Sequence, residues 1–315
     1  MRVLFWGTSE FAVPSFRSII GEGFEVAGVV TQPDRATGRS RSRLTMPPVK
    51  DAALREGVEP VLQPEKPRGE PFLEELRALE PDISVVVAYG HLLTDAVIAL
   101  PRNGTINVHA SLLPRLRGAA PIRAAIREGL NETGITIMRM VKALDAGPII
   151  LQARTPVLPD ETYGELHLRL SELGALALVE ALTLLELGQA SEREQHDESA
   201  TYAPKIDREA TRIRWSEGNS VVARHVRAFD PVPGALTTLR GGELKMFGAR
   251  ATEIAGDEGA VAFGQVVALD GDGLLVACGD GAVRIVDVQP AGKRRMPVTE
   301  WARGRGVQTG ERFGE

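Results

Sequence analysis

The stretch DISVVVAYG, Asp82 to Gly90, decides the fold. Its valines leave neither face of a strand for water, so the strand must be covered on both sides. Working outward, TDAVIAL (94–100) has helical character and TINVHA (105–110) reads as the next strand. Upstream, RVLFWG (2–7) is a short apolar strand ending in Gly7. FAVPSFRSII (11–20) then reads as a helix, with Ser9 as a cap and Pro14 in the first turns. EVAGVVT (25–31) is a second strand, and PPVKDAALREG (47–57) and PFLEELRALE (71–80) are helical. Buried strands alternating with helices predict a Rossmann-like, doubly wound, mostly parallel sheet. Ligands of such a sheet bind beyond the C-terminal ends of its strands, near a topological switch point.

At 315 residues the chain exceeds one ordinary core. The helix TYGELHLRLSELGALALVEALTLLELG (162–188) closes the first half, and polar QASEREQHDESATYAPK (189–205) follows it. Beyond lie a helix near SVVARHVRAF (220–229) and five short strands: GALTTL, LKMFGA, GQVVAL, GLLVAC and AVRIVDV. Glycines and acidic turn residues separate them, which suits a small OB-like β-barrel. The expected organisation is a catalytic domain over 1–189, a linker over 190–205 and a barrel over 206–315. A single cysteine, Cys278, excludes an internal disulfide framework and suits a reducing compartment. MRVLFWG is read as leaving no room for a signal peptide, and no apolar run reaches the ~18 residues of a membrane span. The expectation is a cytoplasmic monomer that needs no membrane. Formal net charge is −5, so a polyanionic partner would have to meet local basic patches.

Chemistry is signalled in INVHASLLP (106–114). Asn107 and His109 share one strand face, because side chains alternate with period 2. Downstream, Asp145 sits in a Gly-punctuated turn, LDAG, between the apolar runs GITIMRMV and PIILQA. An amide donor, a titratable ring and a carboxylate suit attack on a carbonyl carbon, where negative charge must be stabilised and protons moved. Each residue alone also has a structural reading: a satisfied strand-end amide, a hydrogen-bonded core histidine, a turn aspartate. WGTSEF carries one glycine and no G-x-G-x-x-G, so no dinucleotide is signalled. No phosphate-binding G-x-x-x-x-G-K-[ST] loop occurs, and the five histidines are dispersed, which argues against a metal site.

The segment INVHASLLPRLRGAAPIRAAIREG, with TGITIMRMVKALDAGPII downstream, resembles the folate-dependent formyltransferase family. By that resemblance Asn107, His109 and Asp145 form the catalytic triad, and Ser111, Leu112, Leu113 and Pro114 contact the co-substrate 10-formyltetrahydrofolate. VVTQPDRATGRSRSRLTMPPVK resembles the basic loop of members that act on initiator methionyl-tRNA, and TYAPKIDREATRIRW, RAFDPVPGA and LQPAGKRRM look like later landmarks of those members. The resemblance thus implies formyl transfer to the methionine α-amine for translation initiation, with no metal. Arg39, Arg41 and Arg43 in the loop, and Lys293, Arg294 and Arg295 in the second domain, are the implied tRNA contacts. Leu116 stands where an aromatic residue is frequent, and His91 where an apolar one is common. Rival readings are a formyltransferase acting on a small-molecule amine, a formyl-folate hydrolase, and a nonenzymatic Rossmann-like binding module.

Overall fold

The computed structural model describes residues 1–37, 43–253 and 261–314. Arg39 and Arg41 lie outside the described residues, as does the side chain of Arg43. The chain divides into two compact units. One comprises Met1–Gly118, Thr133–Thr155 and His167–Ala203; the other comprises Ala119–Glu132, Pro156–Leu166 and Pro204–Glu315.

The first unit is built on β1 (Arg2–Gly7), α1 (Val13–Gly21) and β2 (Glu25–Val30). A small hairpin, β3 (Arg35–Thr37) and β4 (Arg43–Thr45), precedes α2 (Pro48–Arg55), β5 (Val61–Leu62) and α3 (Glu70–Ala78). Then come β6 (Ile83–Val87), α4 (Asp95–Ile98) and β7 (Thr105–His109). After α5 (Pro121–Glu128) follow β8 (Glu132–Arg139), β9 (Ile149–Pro156) and the long α6 (Tyr163–Glu186). The sheet order is β5-β2-β1-β6-β7-β8-β9. The first five strands run parallel, as the buried apolar runs required, and β8 runs antiparallel to β7. Every residue of β6 is buried. Ser9 does not cap: it precedes a 3-10 turn at Glu10–Ala12 and makes no side-chain cap bond. Successive strands run outward from β1 through β2 to β5, then restart at β6, so the switch point lies between β1 and β6. There Trp6 is packed edge-on to Phe72 and Tyr89 and donates its indole N–H to Ser84 Oγ at 3.2 Å.

The second unit holds α5, α7 (Asn219–Ala228) packed against it, and α8 (Val298–Arg303). Its strands are β10 (Ala235–Leu239), β11 (Gly242–Thr252), β12 (Val266–Asp270), β13 (Gly273–Cys278), β14 (Gly281–Pro290) and β15 (Met296–Pro297). They form an antiparallel sheet in the order β10-β11-β14-β13-β12, with β15 paired to β14. The C-terminal tail closes it. Gly314 N–H donates to Thr238 O on β10 at 2.9 Å, and Val266 N–H on β12 donates to Glu311 O at 2.8 Å. A tail that bonds both outer strands removes the free edges an open sheet would leave. Trp215, Phe229, Met246, Val276, Ile285 and Phe313 fill the interior.

His225, on α7, is largely buried edge-on to Phe229, and its Nε2–H donates to Thr211 O at 3.1 Å. Burial, opposed only in part by that bond, lowers its pKa to about 4. The folded value therefore lies below the unfolded one, and the stability this confers is present above the unfolded pKa and lost as pH falls toward the folded value. Between pH ~6.5 and ~4 the expected loss is about 2–3 kcal/mol. Unfolding measured across this window should have a shallower pH slope for His225→Asn than for the parent chain; equal slopes would contradict the assignment.

Candidate active site

The C-terminal ends of β1, β2, β6 and β7 converge on one edge of the sheet. Backbone and side-chain bonds stitch the loops there. Thr8 Oγ1–H and Gln32 Nε2–H both donate to Tyr89 O at 2.9 Å. A Cβ at Gly90, whose φ is +87°, would stand 2.6 Å from Gln32 Nε2, so the loop after β6 needs glycine. The hairpin β3–β4 is anchored at its base by Lys50 Nζ, 2.9 Å from both oxygens of Asp34 and 2.7 Å from Gln63 Oε1. Hydrogen bonds from Gln63 and Lys50 hold the Asp34 carboxyl below the usual range.

His109, the last residue of β7, is buried. Its Nε2 lies 3.0 Å from Leu116 O. A carbonyl only accepts, so Nε2 carries the proton and Nδ1 is the position free to exchange one. Nδ1 faces Asp145 Oδ2 at 3.7 Å. The same Oδ2 accepts the Gly118 N–H at 2.8 Å, while Oδ1 has no partner among the described residues. Asn107, two residues back on the same strand face, is half-buried, and its side-chain amide has no partner among the described residues. The three polar groups thus include a paired imidazole and carboxylate and an uncommitted amide.

Asp145 reaches His109 by a route the sequence pattern does not suggest. The turn after an apolar run reads as the C-terminal end of another parallel strand. β8 is antiparallel, with His109 opposite Thr136 and Ile106 opposite Arg139, so its C-terminal end lies beside the start of β7. The loop after Arg139 has to run back along β7 to bring the carboxylate to the imidazole. Asp145 takes a φ of +48° in that loop, and Gly147 is pressed so close to Arg139 O that a Cβ there would collide with it. Left-handed backbone at a residue other than glycine costs energy and recurs at functional sites.

Ser111, Leu112, Leu113 and Pro114 differ in what they can offer a ligand. Ser111 is buried and donates to Arg115 O at 2.6 Å; Leu113 is buried against Met138 and Ile149. Leu112 and Pro114 remain part-exposed. The run is clamped from β8 and β9: Leu113 N–H donates to Thr136 Oγ1 at 3.1 Å, Thr136 Oγ1–H to Ser111 O at 2.6 Å, and Gln152 Nε2–H to Leu113 O at 2.9 Å.

Sequence reasoning passed over the residues that brace this site. Arg117 is buried, and its Nε and Nη2 donate to Gln195 Oε1 at 3.1 and 2.9 Å. Gln195 Nε2–H donates in turn to Asp145 O and Gly147 O at 2.9 and 2.8 Å. Thr201 Oγ1 accepts the Leu116 N–H at 2.9 Å. Gln195 and Thr201 belong to the segment expected to act as a linker, and nothing in their local pattern marks them. Arg117 is the one with a signal: a charged residue between an apolar neighbour and Gly118, immediately after the motif.

In the second unit, Lys293 and Arg294 lie on the exposed turn after β14. Arg295 is occupied. It bonds the buried Asp230 at 2.7 Å and Asp287 at 2.9 Å, and its guanidinium lies 4.3 Å over the Phe247 ring. Among the described residues no group of three or more His, Cys, Asp or Glu is placed to hold a metal ion, and no helix is long and apolar enough to cross a membrane.

The sheet and its switch point define a Rossmann-like α/β protein, with His109 and Asp145 paired at the end of β7. The chain belongs to the formyl transferase family: residues 1–182 match the formyl transferase domain and residues 205–306 the formyl transferase C-terminal domain. It is 44% identical over 314 residues to the methionyl-tRNA formyltransferase of Bacillus licheniformis, covering 99% of this chain and 98% of that one. It is 47% identical over 313 residues to the protein of the same name from Aromatoleum aromaticum, covering 99% and 97%. In fold it is similar to the N-formyltransferase from Helicobacter canadensis in complex with folinic acid and dTDP-3-aminofucose, with TM-score 0.67, 16% identity, and 91% and 98% of the two chains covered.

Proposed function

We propose that this chain transfers the formyl group of 10-formyltetrahydrofolate to the α-amine of methionine carried by initiator methionyl-tRNA. The observation that carries the reading is likeness along nearly the whole chain to relatives bearing that activity's name; Asp145 lying 3.7 Å from His109, with Asn107 two residues back on the same strand, supports it. Leu112 and Pro114 would hold the folate, which supplies an activated formyl carbon. Asn107 donates its amide N–H to the oxygen on which negative charge develops during attack. Asp145 receives the amine proton on Oδ1, the oxygen left free by Gly118 and His109. His109 Nδ1 is the next position along that route, which returns the proton to N10 as the bond from the formyl carbon to N10 breaks and tetrahydrofolate leaves; Leu116 O keeps the ring in the orientation that presents Nδ1 to the carboxylate. An aminoacyl ester's amine is less basic than an ordinary α-amine of pKa ~8, so a carboxylate suffices as acceptor once attack has begun.

The catalytic assignment covers residues 1–189, and the barrel over 206–315 adds tRNA contacts through Lys293 and Arg294, with Arg295 supporting their turn. Arg39, Arg41 and Arg43 are the loop's contacts. The test is incubation with 10-formyltetrahydrofolate and, separately, initiator and elongator methionyl-tRNA. Formyl product on the initiator alone supports the reading. Product on a nucleotide-sugar amine with none on any tRNA overturns it.

A further inference from the structure

We infer that Gln195 is a positioning residue for the reaction, and that the tripeptide Leu116–Arg117–Gly118 is the template through which it acts. The inference rests on the formyl-transfer reading. Three consecutive residues each take one part of the site. Leu116 O receives the His109 Nε2–H at 3.0 Å, Arg117 grips Gln195 through two donors, and Gly118 N–H meets the Asp145 carboxylate at 2.8 Å. Gln195 then closes a ring by donating to the backbone of Asp145 itself. Asp145 is therefore held at both ends, its carboxylate by Gly118 and its carbonyl by Gln195.

The tripeptide is itself fixed. Leu116 N–H and Arg117 N–H donate to Thr201 Oγ1 and Thr201 O at 2.9 and 2.8 Å, and Arg117 O accepts the Ala203 N–H at 2.8 Å. A Cβ at Gly118, whose φ is +117°, would lie 2.7 Å from Ala203 O. So the segment from Gln195 to Ala203, without helix or strand beyond one 3-10 turn, seats both sides of the His109–Asp145 pair. Two backbone positions in this assembly are left-handed: Leu116 at φ +60°, where a leucine is strained, and Asp145 at φ +48°, which an aspartate tolerates better. Gln195 holds the second of them directly.

The hydrogen-bond roles separate positioning from mere folding. Gln195 uses its amide N–H groups toward Asp145 and Gly147 and its carbonyl toward Arg117. Gln195→Glu keeps an acceptor for Arg117 and makes it charged, but loses both donors. Gln195→Ala loses everything. Turnover and KM for each substrate, with thermal unfolding, should be measured on both variants and the parent chain. Misplacement of a reacting group by about 1 Å lowers rates on the order of 10²-fold. Both variants are expected to lose turnover by about 10–100-fold with KM for methionyl-tRNA and for the folate within about threefold, and Gln195→Glu to unfold near the parent's temperature. Parental turnover in Gln195→Glu overturns the inference, because the residue then serves only Arg117. So does a change confined to KM, or failure of both variants to fold. A parent chain inactive on methionyl-tRNA instead overturns the functional reading.

Discussion

Asp145→Asn is expected to lower turnover by about 10²–10⁴-fold, the range associated with loss of a general acid or base, with KM for both substrates little changed. The substitution isolates charge. Asparagine has the same outline, its oxygen can still accept the Gly118 N–H, and it tolerates the left-handed backbone that Asp145 adopts at φ +48°. What it cannot do is take a proton on the free oxygen or carry negative charge opposite His109 Nδ1, 3.7 Å away. Single-turnover formylation under saturating folate reads the chemical step directly. A rate within about threefold of the parent would remove Asp145 from the chemistry and leave it a turn residue.

Asn107→Ala is expected to cost about 10²–10³-fold in turnover, as loss of one donor to a developing oxyanion does, while leaving thermal unfolding within a few degrees of the parent. The second half of that expectation comes from packing. The amide is half-buried on β7 and has no partner among the described residues, so truncation abandons no protein hydrogen bond. A group with no structural employment at the edge where His109 and Asp145 meet is available to substrate alone. Unchanged turnover would show that the charge on oxygen is met elsewhere, and a marked fall in stability would show that Asn107 is a structural amide.

Much of this was legible from residue pattern. The run at Ile83–Val87 demanded burial on both faces and obtained it. The parallel run of β5, β2, β1, β6 and β7 follows the same apolar pattern. Asn107 and His109 were placed on one face by strand periodicity alone. Ser111 and Leu113 were harder: their motif marks them together with Leu112 and Pro114, yet both are buried, Ser111 Oγ–H bonding Arg115 O and Leu113 packing against Met138 on β8 and Ile149 on β9. Arg295 is similar. Its place in a basic triplet suggests a free cation, and the buried Asp230 that takes it lies far off in sequence.

What the sequence determined by itself is which segments bury which faces, and which chemical groups are present, because alternation of apolar and polar side chains is a local property of the chain. What only the tertiary structure decided is who meets whom. Hydrophobic alternation is the same for a strand paired parallel or antiparallel, so the direction of β8, the return of its loop, and the arrival of Asp145 beside His109 come from long-range pairing. Gln195 shows the same limit from the other side. A lone glutamine in a polar stretch has no local preference to read, and its role exists only because the folded chain sets two carbonyls and a buried arginine around it.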